Sequence, residues 1–146
     1  MSAAWLRGEQ ADAVVAEVEA AMLAFNQAQL GPQAAQRYVL ARYATQGDFL
    51  AGLVAWSYWN CLYIDQLWVH EAARGRGLGR ALMDEAEALA LRLGLDGLRL
   101  ETFSFAAPDF YRRLGYQEYG HLHGMPRGVG RHYLCKWLRD APAARA

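Results

Sequence analysis

The fold is decided between residues 61 and 105, where Cys61-Leu-Tyr-Ile-Asp-Gln-Leu-Trp-Val69 leads through Arg74-Gly-Arg-Gly-Leu-Gly-Arg80 into an apolar ladder and then into Gly97 to Phe105. The first and last stretches read as strands. The ladder, Leu78, Leu82, Ala86, Leu89 and Leu93, steps by four, four, three and four residues, with Arg80, Asp84, Glu87 and Arg92 on other faces. That is one stripe of an α-helix, and Gly94 is placed to end it. Strand, glycine turn, helix and strand in this order predict a right-handed βαβ crossover whose two strands are parallel.

Working outward, Tyr38 to Tyr43 and Phe49 to Trp59 read as strands separated by the turn residues Thr45-Gln-Gly-Asp, and Asn60 leads into the strand at Cys61. Links this short predict antiparallel neighbours. Upstream, Ala11 to Gln29 has apolar residues at 14, 18, 21, 22 and 25, a helix stopped at Gly31-Pro32, and Trp5-Leu-Arg7 is a faint first strand. Downstream, Pro108 to Leu114 is a short helix opened by proline and closed by Gly115, followed by a strand pair, Tyr116 to His123 and Arg131 to Leu138. The glycine-rich Gly124 to Gly130 joins that pair. The expectation is a single α/β (α+β) domain over residues 1–140, with a mixed, mainly antiparallel central sheet, helices on both faces and a frayed tail at 141–146.

Composition limits the function. A chain of 146 residues with 54% hydrophobic and 21% charged residues has ample material for one core. Fifteen basic residues balance fifteen acidic ones, so no global field gathers nucleic acid or anionic lipid, and any anion site must be local. The longest apolar run, Phe49 to Trp56, is far short of the roughly 20 residues of a membrane helix, and the N-terminus lacks a signal-peptide apolar core. A cytoplasmic protein without membrane or nucleic-acid partners is expected. Cys61 and Cys135 lie in no CxxC spacing and read as reduced core thiols, and His70, His121, His123 and His132 show no metal-ligand spacing, so no metal is expected.

Glycines at 75, 77 and 79 bare the backbone at the strand-to-helix turn, so successive amides and the positive end of the helix dipole can converge on an anion. Arg74, Arg76 and Arg80 add charge. The turn is neither of two familiar phosphate loops: Arg80 stands where a dinucleotide fingerprint needs its third glycine, and Arg80-Ala81 where a P-loop needs Lys-Ser/Thr. Instead, Arg74-Gly-Arg-Gly77-Leu-Gly79 matches Arg/Gln-x-x-Gly-x-Gly/Ala, and Phe110-Tyr-Arg-Arg-Leu-Gly-Tyr116 follows about thirty residues later. Together these closely resemble the GNAT superfamily of acetyl-CoA-dependent N-acetyltransferases, over residues 49 to 138.

The resemblance implies acetyl-CoA as co-substrate and no metal. Its pyrophosphate would be held at Arg74, Gly75, Arg76, Gly77, Leu78, Gly79 and Arg80, and its pantetheine along Leu67, Trp68 and Val69, where a bulge splays the strand from its parallel neighbour. Ser104 stands where many members carry a pantetheine-binding asparagine, and it offers one donor where the amide offers two. The reaction needs a neutral amine, a stabilised oxyanion and a proton for the departing thiolate. An amine of pKa about 10.4 is neutral in only about one molecule in a few thousand at pH 7. The resemblance points to Asp65 as the base, on the same strand face as Leu67 and Val69 by alternation, with Glu101 as second choice. Tyr111 is implied as proton donor facing the CoA sulfur. The implied reaction is direct attack by a primary amine of a small molecule or peptide. The alternative is a non-catalytic acyl-CoA sensor, and an exposed late strand leaves a homodimer open.

Overall fold

Strands with one apolar face build one six-stranded sheet in the order β1-β2-β3-β4-β6-β5, from β1 Gln36–Tyr43, β2 Phe49–Tyr58, β3 Cys61–Val69, β4 Gly97–Phe103, β5 Gln117–His123 and β6 Gly130–Trp137. This computed structural model describes residues 3–140, and the tail expected at 141–146 lies outside them. The chain divides into two compact units, Met1–Gln33 and Ala34–Ala146. In the first, α1 spans Glu9–Leu30 between Gly8 and Gly31, whose positive φ angles of 64° and 88° take the backbone out of helical geometry at both ends. Residues 3–7 form no strand, contrary to the faint one expected at Trp5–Arg7: so short a stretch has no alternating face to bury.

In the second unit the predicted crossover is present: β3 and β4 pair in parallel from Cys61↔Gly97 to Ile64↔Leu100, and all other pairs are antiparallel. Between them runs α2, Leu78–Arg92, ended by Gly94 at φ 73°. A short 3-10 turn, Glu71–Ala73, and α3, Pro108–Arg113, complete the unit. The core lies between α2, α3 and one face of the sheet. Leu62, Leu82, Met83, Leu98 and Leu134 are fully buried there, and Tyr111 and Tyr116 close its α3 end. Lys136 Nζ lies 2.8 and 2.9 Å from the two carboxylate oxygens of Glu87, tying β6 to α2. Among the described residues no helix is long and apolar enough to cross a membrane.

Cys61 and Cys135 are half-buried rather than in this core. In the strand alternation they share the opposite face of the sheet with Tyr63 and Arg99, because Tyr58↔Cys61 and Arg99↔Cys135 are register partners on that side. Burial raises both thiol pKa values, which disfavours the nucleophilic thiolate.

One glycine fixes the start of the crossover strand. A Cβ on Gly97 would come within 2.6 Å of the Lys136 carbonyl oxygen, a backbone atom of the neighbouring strand. Gly97→Ala should therefore cost about 1–3 kcal/mol of stability, as overpacking against fixed atoms does, read from the midpoint of urea unfolding.

Candidate functional site

Past Ile64↔Leu100 the two parallel strands part. The cause is visible in the neighbouring ladder: Ala55 pairs with Ile64 and Val54 with Gln66, so Asp65 is an extra residue, a β-bulge in β3. The bulge also resets the alternation. Leu62 and Ile64 face the core before it, and Leu67 and Val69, the register partners of Leu53 and Ala51, face it afterwards. Asp65 and Gln66 therefore both fall on the outer face with Tyr63. The expectation that Asp65 shares a face with Leu67 and Val69 is corrected: simple two-residue alternation fails across a bulge.

The gap between the strands opens into a cleft of about 1100 Å³ that reaches from Arg74 and Gly75 in the glycine turn to Tyr111 on α3 and Asp65 and Glu101 in the sheet. At its mouth, Gly75 and Gly77 hold φ angles of 74° and 78°, and the space where each would carry a Cβ is empty to 4 Å. Gly77 is the N-cap of α2 and, having no side chain, supplies no capping hydrogen bond. The first-turn amides of α2 are thus left for an external acceptor, at the positive end of the helix dipole. Gly79 is glycine for another reason: a Cβ there would meet the Phe110 ring at 3.3 Å. Arg74 is exposed, and its Nε donates to the Val69 carbonyl at 3.1 Å, which pins the turn to the end of β3. Arg80 is an exposed 3.9 Å from Asp84. The bare amides and open space fit a diphosphate.

Of the residues expected at the site, Leu67, Trp68, Val69, Arg74, Gly75, Gly77, Leu78, Gly79, Arg80, Asp65, Glu101 and Tyr111 all line the cleft. Arg76 and Ser104 do not. Ser104 is instead engaged with Gly130, its N–H donating to the Gly130 carbonyl at 2.8 Å and its Oγ accepting from the Gly130 N–H at 3.1 Å, which clamps the end of β4 to the start of β6.

Tyr111 is 8% exposed, and burial pushes its phenol up to about 12. Among the described residues no hydrogen bond engages its hydroxyl. It is a proton held at the cleft wall, present as O–H throughout the neutral range. On the outer face the two carboxylates differ. Glu101 lies 3.4 Å from the Tyr63 hydroxyl and 3.5 Å from Arg131, while Asp65 has neither an ion pair nor a hydrogen bond among the described residues. Burial and then the charges of Glu101 and Asp65 raise the Tyr63 pKa, a sign of local negative potential. Arg131 also sits 4.9 Å over the Phe103 ring. Arg131 escaped the sequence reading, because it reaches Glu101 only through the β4–β6 register.

Comparison with known proteins identifies the family to which this fold belongs. The Acetyltransferase (GNAT) family model matches residues 3–116. Blasticidin-S acetyltransferase of Streptomyces morookaense is 42% identical over 103 residues, which are 68% of this chain and 76% of the relative. The crystal structure of an acetyltransferase from Bacillus cereus ATCC 14579 superposes with a TM-score of 0.83 at 29% identity, covering 93% of this chain and 98% of that one. A Bacillus anthracis structure solved in complex with acetyl coenzyme A shares the fold, with a TM-score of 0.63 at 22% identity over 70% of this chain and 63% of its own. With a bulge-opened cleft ending on uncapped helix amides and a family match over most of its length, the chain belongs to the GNAT acetyltransferase family.

Proposed function

We propose that this acetyltransferase moves the acetyl group of acetyl-CoA directly onto the primary amine of a small cationic molecule. The observation that supports this reading best is the division of charge along one cleft: bare amides and arginines at one end, and the Asp65 and Glu101 carboxylates at the other. The first end suits a diphosphate and the second an ammonium group. The 42% identity to a blasticidin-S acetyltransferase makes blasticidin-S the first acceptor to test.

In this reading the amides of Gly75 to Arg80 hold the pyrophosphate and aim the donor along Leu67 to Val69. Acetyl-CoA supplies the activated acetyl thioester. Asp65, whose carboxylate is not spoken for, takes the proton from the incoming ammonium directly or through water. Glu101, held by Arg131, attracts and orients that ammonium. Tyr111 Oη donates its hydrogen bond to the departing sulfur. A phenol near 12 facing a thiol near 8.5 makes complete proton transfer uphill by about 5 kcal/mol, so Tyr111 acts by hydrogen bonding, with transfer concerted at most. A nucleophilic cysteine has no support, since both thiols are on the sheet face outside the cleft lining and have raised pKa values.

A non-catalytic acyl-CoA sensor is the competing reading, and turnover separates the two. Thiol release from acetyl-CoA should rise with blasticidin-S or another member of an amine panel. Tight acetyl-CoA binding without turnover on any amine or peptide would favour the sensor.

Substitutions test the assigned parts. Gly77→Val should abolish acetyl-CoA binding in calorimetry, by straining a left-handed N-cap and blocking close approach to the amides, whereas Arg76→Ala should only weaken it. Unchanged affinity in Gly77→Val would defeat the loop assignment. Tyr111→Phe should lower kcat by about 10²-fold and leave acetyl-CoA affinity nearly intact.

The pH dependence follows from the same tyrosine. Its folded pKa, about 12, lies above the ordinary value of 10.0, so the stability gained by keeping it protonated is complete below about pH 10 and is lost as pH rises towards 12. Wild type should therefore lose stability over that window more steeply than Tyr111→Phe, as alkaline unfolding monitored by circular dichroism would show.

A further inference from the structure

Three of the four histidines in the chain gather on one surface, although nothing in their spacing announces it. His121 and His132 are direct register partners on β5 and β6. Their rings stack at 4.3 Å with only 14° between planes. His132 Nδ1 lies 3.1 Å from Glu118 Oε2, and the ring of His123 is 6.1 Å from that of His121. Glu118, His121 and His132 each present a ligand atom, and the three atoms lie within 4.8 Å of one another. Among the described residues no other group of three ligating side chains does so.

From this cluster we propose that Glu118, His121 and His132 form a surface binding site for one borderline divalent transition-metal ion, of the zinc, cobalt and nickel class. Two imidazoles and one carboxylate match the donor preference of such ions, and not the all-oxygen sets of magnesium or calcium. Metal–ligand bonds of about 2.0–2.2 Å in a tetrahedron need donors roughly 3.3 Å apart. Because nearly parallel imidazole planes cannot both direct a lone pair at one ion, binding requires the exposed His121 ring to leave its stack on His132 and turn towards the ion, with the exposed Glu118 carboxylate rotating to join it. Gly130 makes the room: a Cβ there would meet His121 Nε2 at 2.6 Å.

The obvious competitor for Glu118 is Arg112, which pairs with the same oxygen. Arg112 is not stranded when the ion takes that carboxylate, because it also holds Asp109 at 2.6 Å. None of the three ligands lines the acyl-donor cleft, so this site stands apart from the acetyl-transfer assignment.

The test is a titration of the purified full chain, freed of metal by chelator, with Zn²⁺ in calorimetry and with Co²⁺ in NMR. One Zn²⁺ per chain is expected, bound at least about tenfold more weakly by His121→Ala and by His132→Ala, and equally well by the double variant Cys61→Ser/Cys135→Ser. In wild type, Co²⁺ should broaden the ring signals of His121 and His132 and spare His70, a readout that does not depend on any variant folding. Absence of binding, binding undiminished by both histidine substitutions, or binding lost in the cysteine variant with the His121 and His132 signals unmoved would overturn the site.

Discussion

One extra residue in one strand governs this molecule. With Asp65 inserted opposite the Val54–Ala55 step, β3 turns away from β4 after Ile64, and backbone that would otherwise be spent on the parallel ladder borders an open cleft. A buried gap of this kind is costly in a sheet interior, because unpaired backbone groups need partners. The glycine turn and the uncapped start of α2 place further unsatisfied amides at the mouth of the same gap. The cleft is therefore a place where the fold has left hydrogen-bonding capacity for a ligand, and the surrounding core of Leu62, Leu82, Leu98 and Leu134 keeps it open by holding the strands on either side.

A neutral protein must make its binding fields locally. Here the positive field comes largely from backbone dipoles, which need no net charge, and the negative one from two carboxylates on the far side of the sheet. The bulge serves both ends. It separates the strands, and by shifting the alternation it turns Asp65 to the outer face beside Tyr63, away from the apolar side chains of Leu67 and Val69. On the proposed reading, donor and acceptor thus meet from opposite sides of the opening.

Much of this was legible in the sequence because it rests on local rules. The Leu78 to Leu93 ladder, the terminating Gly94 and the strand–turn–helix order fix the crossover, and the glycine spacing fixes the turn. What escaped depends on contacts across strands. A bulge in this strand was implied by the family resemblance, but its place at Asp65 leaves no mark in residues 61–69 alone, so alternation assigned Asp65 to the wrong face. Arg131 meets Glu101, and His121 meets His132, only through the registers of β6 with its two neighbours. Ser104 illustrates the same limit: its partner, Gly130, is distant in sequence and decides what its hydroxyl does.

The most direct measurement is a crystal structure of the protein with acetyl-CoA. The account predicts pyrophosphate oxygens within hydrogen-bonding distance of the backbone amides between Gly75 and Arg80, and the thioester lodged between β3 and β4 beside the Tyr111 hydroxyl. A complex in which the nucleotide lies elsewhere, with that turn empty and the two strands unoccupied between Asp65 and Glu101, would contradict it.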